Sequence, residues 1–90
     1  MRFTEKRENQ GYIITDSIRI GDAEFVVGEL LVAPEPFATW ECKNGDDYFW
    51  GHYFSDRLAA KRDLLERAGR ELQYQERMRE RAAKEKERVR

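Results

Sequence analysis

A chain of 90 residues with 17 Lys+Arg, 18 Asp+Glu and a net charge of −1 has room for one domain, a modest core and a thin stability margin. It has no apolar run near the ~20 residues that cross a bilayer, no apolar stretch within Met1–Gln10, and a single cysteine, Cys42, so a cytoplasmic protein with no membrane span, secretory leader or internal disulfide is expected. The near-zero charge hides a divide: residues 1–55 carry 5 Lys+Arg against 10 Asp+Glu and residues 56–90 carry 12 against 8, which suggests polar partner surfaces and argues against a broad DNA-binding face.

Residues 1–10 are polar apart from Phe3 and read as a flexible arm. From Gly11 the β-formers begin, with Tyr12 to Ile20 as a first strand and Ala23 to Val32 as a second. Gly21-Asp22 between them is a two-residue hairpin signal, because glycine supplies the positive φ of a type II′ turn. Ala33-Pro34-Glu35-Pro36 stops the second strand, since proline cannot donate to a ladder. Phe37–Lys43 is the third strand, Asn44-Gly45 is the next hairpin turn, and Tyr48–Phe54 is the fourth strand.

A two-residue turn at 21–22 places Ile20 opposite Ala23, Ile18 opposite Phe25, Asp16 opposite Val27 and Tyr12 opposite Leu31. A four-residue link at 33–36 pairs Leu31 with Ala38. An even-length loop at Asn44-Gly45 then sends Trp40, Cys42 and Phe49 to one face, and Tyr48, Trp50 and His52 to the other. The expected core face is therefore Ile18, Ile20, Phe25, Val27, Leu31, Ala38, Trp40, Cys42 and Phe49. Asp16 and Glu29 interrupt it, which predicts a bulge or an edge position there.

Ser55 reads as an N-cap, with Asp56 at the positive end of the helix dipole. No proline follows. Leu58, Leu64, Leu65, Ala68 and Leu72 fall within about 120° of one another on a helix and form the stripe expected to lie on the sheet. The small residues Ala38 and Gly51 would allow it to approach closely. The expected fold is α+β: a four-stranded antiparallel β-meander followed by one long C-terminal helix packed on one sheet face. Its parts are a flexible arm at 1–10, a ββββα domain at 11–74, and a charged helical extension or frayed tail at 75–90. Within the tail, Tyr74, Met78, Ala82 and Val89 form a weaker stripe. It is open to two readings, a homodimer seam through the C-terminal helix or a solvated helix.

Chemistry-bearing motifs are sparse. The single histidine, His52, has no nucleophile placed beside it by any motif, and a sheet histidine among aromatics is its plain alternative. One Cys and one His, on different expected faces, do not make the paired-ligand spacing of a zinc site. The six glycines build no phosphate-binding loop. No catalytic, cofactor-binding or metal-ligating residue is expected, and the chain is read as a non-enzyme. The informative feature is aromatic: Phe37, Trp40, Tyr48, Phe49, Trp50, Tyr53 and Phe54 lie within 18 residues. Part of that set must be core. Its outer members suit an interface, because an aromatic ring with a polar tip is the usual interface anchor. The expected partner-binding residues are Glu41, Asp46, Asp47, Tyr48, Trp50 and His52. The tail from Arg77 to Arg90, with seven basic and three acidic residues, offers the alternative of nucleic-acid contact.

The stretch Phe37-Ala-Thr-Trp-Glu-Cys-Lys-Asn-Gly-Asp-Asp-Tyr-Phe-Trp-Gly-His-Tyr-Phe54, with Asp56-Arg57-Leu58-Ala59-Ala60 and Asp63-Leu64 after it, resembles a group of short, mostly uncharacterised proteins. These are carried on conjugative plasmids and other mobile elements of gut Firmicutes. The resemblance spans about residues 11–72 and brings no catalytic residues with it. It implies a protein of a bacterial mobile element that helps transfer, regulates genes or disarms a host defence. An inhibitor of a host complex such as a CRISPR nuclease is the sharpest form of that expectation. Glu24, Glu29, Glu35, Glu41, Asp46 and Asp47 would then face a protein or nucleoprotein partner. The alternative is a nucleic-acid-binding accessory or regulatory protein that uses the basic C-terminal helix.

Overall fold

The computed structural model describes residues 7–88. It contains strands β1 (Glu8–Asn9), β2 (Tyr12–Ile20), β3 (Ala23–Glu29), β4 (Phe37–Lys43) and β5 (Asp47–Phe54), then helix α1 (Arg57–Arg88). The strands pair antiparallel in chain order, so the fold is the expected α+β meander with five strands rather than four.

The additional strand arises at Gln10-Gly11, where φ is +53° and +89°. Positive φ at both central residues makes a tight hairpin turn. It sets Asn9 opposite Tyr12 and Glu8 opposite Ile13. Arg7 continues the pairing, its carbonyl accepting the Ile14 N–H at 2.9 Å. The expected flexible arm is thus pinned from Arg7 onward, and residues 1–6 lie outside the described residues.

The Gly21-Asp22 hairpin forms in the expected register: Ile20 faces Ala23, Arg19 faces Glu24, Ile18 faces Phe25 and Asp16 faces Val27. The bulge also forms, with Thr15 as the extra residue between Ile14 and Asp16. Past it Ile13 faces Glu29, so the expected Tyr12–Leu31 pair does not form.

The expected register fails at the next connection. β3 ends at Glu29, Leu30 N–H donates to Pro36 O at 2.8 Å, and Glu29 faces Phe37. Five residues bridge that last hydrogen-bonded pair where four were expected to form the link, and Leu31 and Val32 stand in solvent at 69% and 89% exposure. Because side chains alternate with period two, an odd shift exchanges the faces of β4. Phe37, Thr39 and Glu41 join Phe25 and Val27 beneath the helix, while Ala38, Trp40 and Cys42 lie on the opposite face with Val26. The expected single core face is thereby divided into two cores.

Under α1 lie Phe25, Val27, Phe37, Ala60, Leu64 and Ala68. On the other face lie Tyr12, Val26, Ala38, Trp40 and Cys42, with Ile14, Leu30, Ala33 and Tyr48 packed around them. Trp40 is only 2% exposed and meets Tyr12, Tyr48 and Tyr53 edge-on. Gly28 and Gly51 make room for its indole: a Cβ on Gly28 would come within 3.0 Å of the ring, and one on Gly51 within 2.5 Å of Nε1. Gly51 therefore serves Trp40, and Ala38 lies on that same far face, so neither serves the close approach of the helix.

Asp56, rather than Ser55, caps α1, its Oδ2 accepting the Ala59 N–H at 3.1 Å. The helix docks on a face rotated from the expected stripe. Ala60, Leu64, Arg67 and Ala68 are buried against the sheet, whereas Leu58, Leu65 and Leu72 are 61%, 63% and 46% exposed. Bulky Phe25 and Phe37 already fill the sheet surface, so small alanines fit over them better than leucines. Polar bonds reinforce the rotation: Arg57 pairs with Glu29, Lys61 with Asp16, and Gln75 Nε2 donates to Ile20 O at 3.0 Å. The helix has 32 residues, about 48 Å at ~1.5 Å per residue. Residues 76–85 are all exposed, so the helix leaves the sheet after Gln75.

Candidate binding cleft beside the last strand

The cleft begins with an irregularity in β5. Asn44 and Gly45 have φ of +58° and +81°, and Lys43 pairs with Asp47 across an odd, three-residue loop. Tyr48 therefore pairs with Cys42 and Phe49 with Glu41, so both keep their expected sides of the sheet while their β4 neighbours are exchanged. Between Phe49 and His52 a bulge places two residues, Trp50 and Gly51, opposite Trp40. Trp50 adopts φ +57°, and its side chain is 71% exposed with its ring 5.0 Å from that of Phe49. A bulky residue in this region is uncommon and calls for support from its surroundings.

Arg67 provides that support. Its Nη2 donates to the carbonyl of Trp50 and lies 3.1 Å from His52 Nε2. His52 Nδ1 is 3.0 Å from Asp63 Oδ2, which also accepts the Thr39 hydroxyl at 2.6 Å and lies 3.6 Å from Arg67 Nε. A carboxylate can only accept and a guanidinium can only donate, so the two contacts fit a ring that donates from Nδ1 to Asp63 and accepts at Nε2 from Arg67. Both ring nitrogens are engaged, and Thr39 is fully buried. Burial alone would raise the Asp63 pKa, but the bonds from Thr39 and His52 and the charge of Arg67 hold it below the ordinary range. Arg67 is 8% exposed and its Nη1 has no partner among the described residues. Burial lowers its pKa, against the pull of Asp63 and Glu41.

These groups form one wall of an open cleft of about 350 Å³ lined by Phe25, Glu41, Trp50, His52, Arg67, Arg70 and Glu71. Glu41 makes no ion pair or hydrogen bond among the described residues. Burial first, and then repulsion from Glu71, raise its pKa.

Of the six residues expected to bind a partner, the structure gathers Glu41, Trp50 and His52 at this cleft, on the helix side of the sheet. Tyr48 belongs to the opposite face, against Trp40. Asp46 and Asp47 are exposed at the β4–β5 turn. The expectation of one outward face holding Tyr48, Trp50 and His52 is therefore corrected. Thr39, Asp63 and Arg67 were missed. The available signal is Arg67 itself, a charged residue interrupting the run Ala60, Leu64, Ala68 that faces the sheet.

A second charged device sits on the far face. Arg7 Nη2 and Glu24 Oε2 are 2.7 Å apart, and Arg7 Nη1 also reaches Glu24 Oε1 at 3.1 Å. The Arg7 hydrogen bond holds the Glu24 carboxyl below its usual range. Arg7 closes the end of the Trp40 core, near Cys42, whose thiol pKa burial pushes up.

Among the described residues no cluster of three His, Cys, Asp or Glu side chains could hold a metal ion, and no helix is long and apolar enough to cross a membrane. No protein-family model, curated protein or solved structure matches the chain.

Proposed function

We propose that the chain is a non-enzymatic binding protein that holds a protein or nucleoprotein partner at the cleft between α1 and β5. The observation that carries this reading is Trp50. A tryptophan at 71% exposure on a positive-φ bulge is costly unless something covers it. Its backbone is held by a buried arginine, so the ring is presented from a rigid base, the condition under which an aromatic acts as a binding anchor. The engagement of both His52 nitrogens supports a positioning role over proton transfer. The resemblance to mobile-element proteins makes a host-defence complex, such as a CRISPR nuclease, the partner class to test first, with Asp46 and Asp47 as further contacts.

The test is capture from a bacterial host lysate, and from a purified guide-loaded CRISPR nuclease, by the intact chain and by Trp50→Ala. Trp50→Ala should keep its helical circular dichroism and lose capture by at least about tenfold, the scale of an aromatic anchor. Capture unchanged in Trp50→Ala removes the cleft from the interface. Substituting lysine at both Asp46 and Asp47 tests the hairpin in the same way.

A second reading has one observation in its favour: residues 76–85 are wholly exposed on a helix that has left the sheet. Residues 76–88 carry six basic and four acidic side chains. Under this reading a chain ending at Gln75 loses binding to single-stranded RNA at low salt, and Trp50→Ala does not.

A further inference from the structure

Helix α1 has a second, unused face. Leu58, Arg62, Leu65, Gly69, Leu72 and Glu76 recur at spacings of three and four and so share one side of a helix. That side is turned away from Ala60, Leu64 and Ala68, which dock on the sheet. Leu58, Leu65 and Leu72 are 61%, 63% and 46% exposed, and Arg62, Gly69 and Glu76 are exposed as well. Gly69 is the anomaly. A glycine in an exposed helix interior costs roughly 1 kcal/mol against alanine, and no crowding accounts for it, since an added Cβ would meet nothing within 4 Å.

We propose that this face is the seam of a homodimer, in which α1 of a second copy packs antiparallel across Gly69. The occupant follows from the symmetry of the residues about Gly69. Arg62 lies seven positions before it and Glu76 seven after. An antiparallel twofold centred on Gly69 brings Arg62 of each copy to Glu76 of the other, so both ion pairs form at once. The same operation brings Leu65, four positions before Gly69, to within one residue rise (~1.5 Å) of the level of the second copy's Leu72, three positions after it, close enough for the two leucines to pack. Two glycines meet at the crossing point, where a missing side chain lets the backbones approach closely. A twofold contact requires a self-complementary patch, and this stripe satisfies that requirement in charge and in shape. The sheets fall on the outside of the helix pair. Both Trp50 clefts stay open, because Arg67 and Arg70 lie on other sides of α1. This seam is distinct from the Tyr74, Met78, Ala82 and Val89 stripe considered from sequence. Tyr74, Met78 and Ala82 continue the sheet-facing side beyond the sheet, and Val89 lies outside the described residues.

Sedimentation of the full chain from about 1 μM to about 1 mM tests the seam, since a short helix pair is expected to dissociate within that range. The expected result is a shift with concentration from the 10.8 kDa monomer toward twice that mass. Gly69→Leu should give a monomer throughout while keeping or raising the melting temperature, because leucine is a better helix former and has open space in the monomer. Arg62→Glu should weaken dimerisation about tenfold or more, and the exchange Arg62→Glu with Glu76→Arg should restore it. A chain that stays monomeric at the highest concentration overturns the proposal and leaves the stripe to a different protein. A dimer indifferent to Gly69→Leu, or one that the charge exchange fails to rescue, overturns it too.

Discussion

The two faces of the sheet are buried by different chemistry. Beneath α1, the aliphatic and phenyl core of Phe25, Val27, Phe37 and Leu64 is bordered by the bonded group Thr39, Asp63, His52 and Arg67. No helix among the described residues covers the opposite face. Trp40 is enclosed instead by Tyr12, Tyr48 and Tyr53, by the returning Arg7 segment and by the 30–36 connection. Tyr12 donates its hydroxyl to Glu35 O at 2.8 Å and so ties that connection down. The helix face owes its geometry to directional bonds, and the far face owes its burial to ring area. The helix face should therefore respond to polar substitutions, and the far face to changes of volume at Trp40 and of charge only at its Arg7–Glu24 end.

Substitutions can break this contrast in order of size. Trp40→Ala should have the largest effect, about 3–5 kcal/mol in urea unfolding, because it empties the centre of the far core. For a chain with a thin margin that is enough to lose the folded baseline at room temperature. Glu24→Gln should cost about 2 kcal/mol, the scale of a charge-assisted bond to Arg7 lost from a largely buried acceptor. Thr39→Val keeps the shape but removes the 2.6 Å bond to Asp63, and about 1 kcal/mol should follow. It should also loosen His52, seen as a change in the imidazole NMR shifts. No shift change would mean that Asp63 is positioned without Thr39.

Acid acts on both faces, and on the helix face with two signs. Glu24 and Asp63 both have depressed folded pKa values. Each contributes stability that is present above the unfolded carboxylate range, about pH 4, and is lost as the pH falls through the folded value. Unfolding followed between pH 7 and pH 2 should show this loss, and Glu24→Gln should flatten it. Glu41 has the opposite sign. Its folded pKa is raised, so its ionisation opposes folding at neutral pH, and that cost disappears as the pH falls through the raised value. Glu41→Gln should therefore stabilise the chain at pH 7, by less than about 1 kcal/mol, with the gain shrinking in acid. A loss of stability at pH 7 would instead make Glu41 a necessary counter-charge for Arg67.

Local signals in the sequence located both hairpin turns, but only the first fixed its register, since Asn44-Gly45 closes as a three-residue loop where an even one was expected. Gly21-Asp22 set its hairpin register correctly, and the polar Asp16 correctly marked a bulge. Parity could not be carried across the connection from β3 to β4. The prolines show that a strand ends, but the pairing of Leu30 with Pro36 depends on Tyr12 holding the connection from another strand. One odd-length loop then moved Trp40 to the other core. The helix face was misjudged for a related reason: counting apolar residues favours Leu58, Leu65 and Leu72, whereas the aromatic sheet surface favours Ala60 and Ala68. The cleft was half legible. Glu41, Trp50 and His52 stood out by type, but the residues that bind them together come from α1, and their contacts exist only after docking.

The kink at Trp50 and Gly51 bears on how this molecule behaves in a crowded solution. β5 is the last strand of the sheet, the position from which identical chains recruit one another into fibres by strand templating. A break in the middle of that strand interrupts the straight row of backbone donors and acceptors that a growing fibre would copy. The molecule can thus display a large sticky ring at its border and still resist polymerising through it.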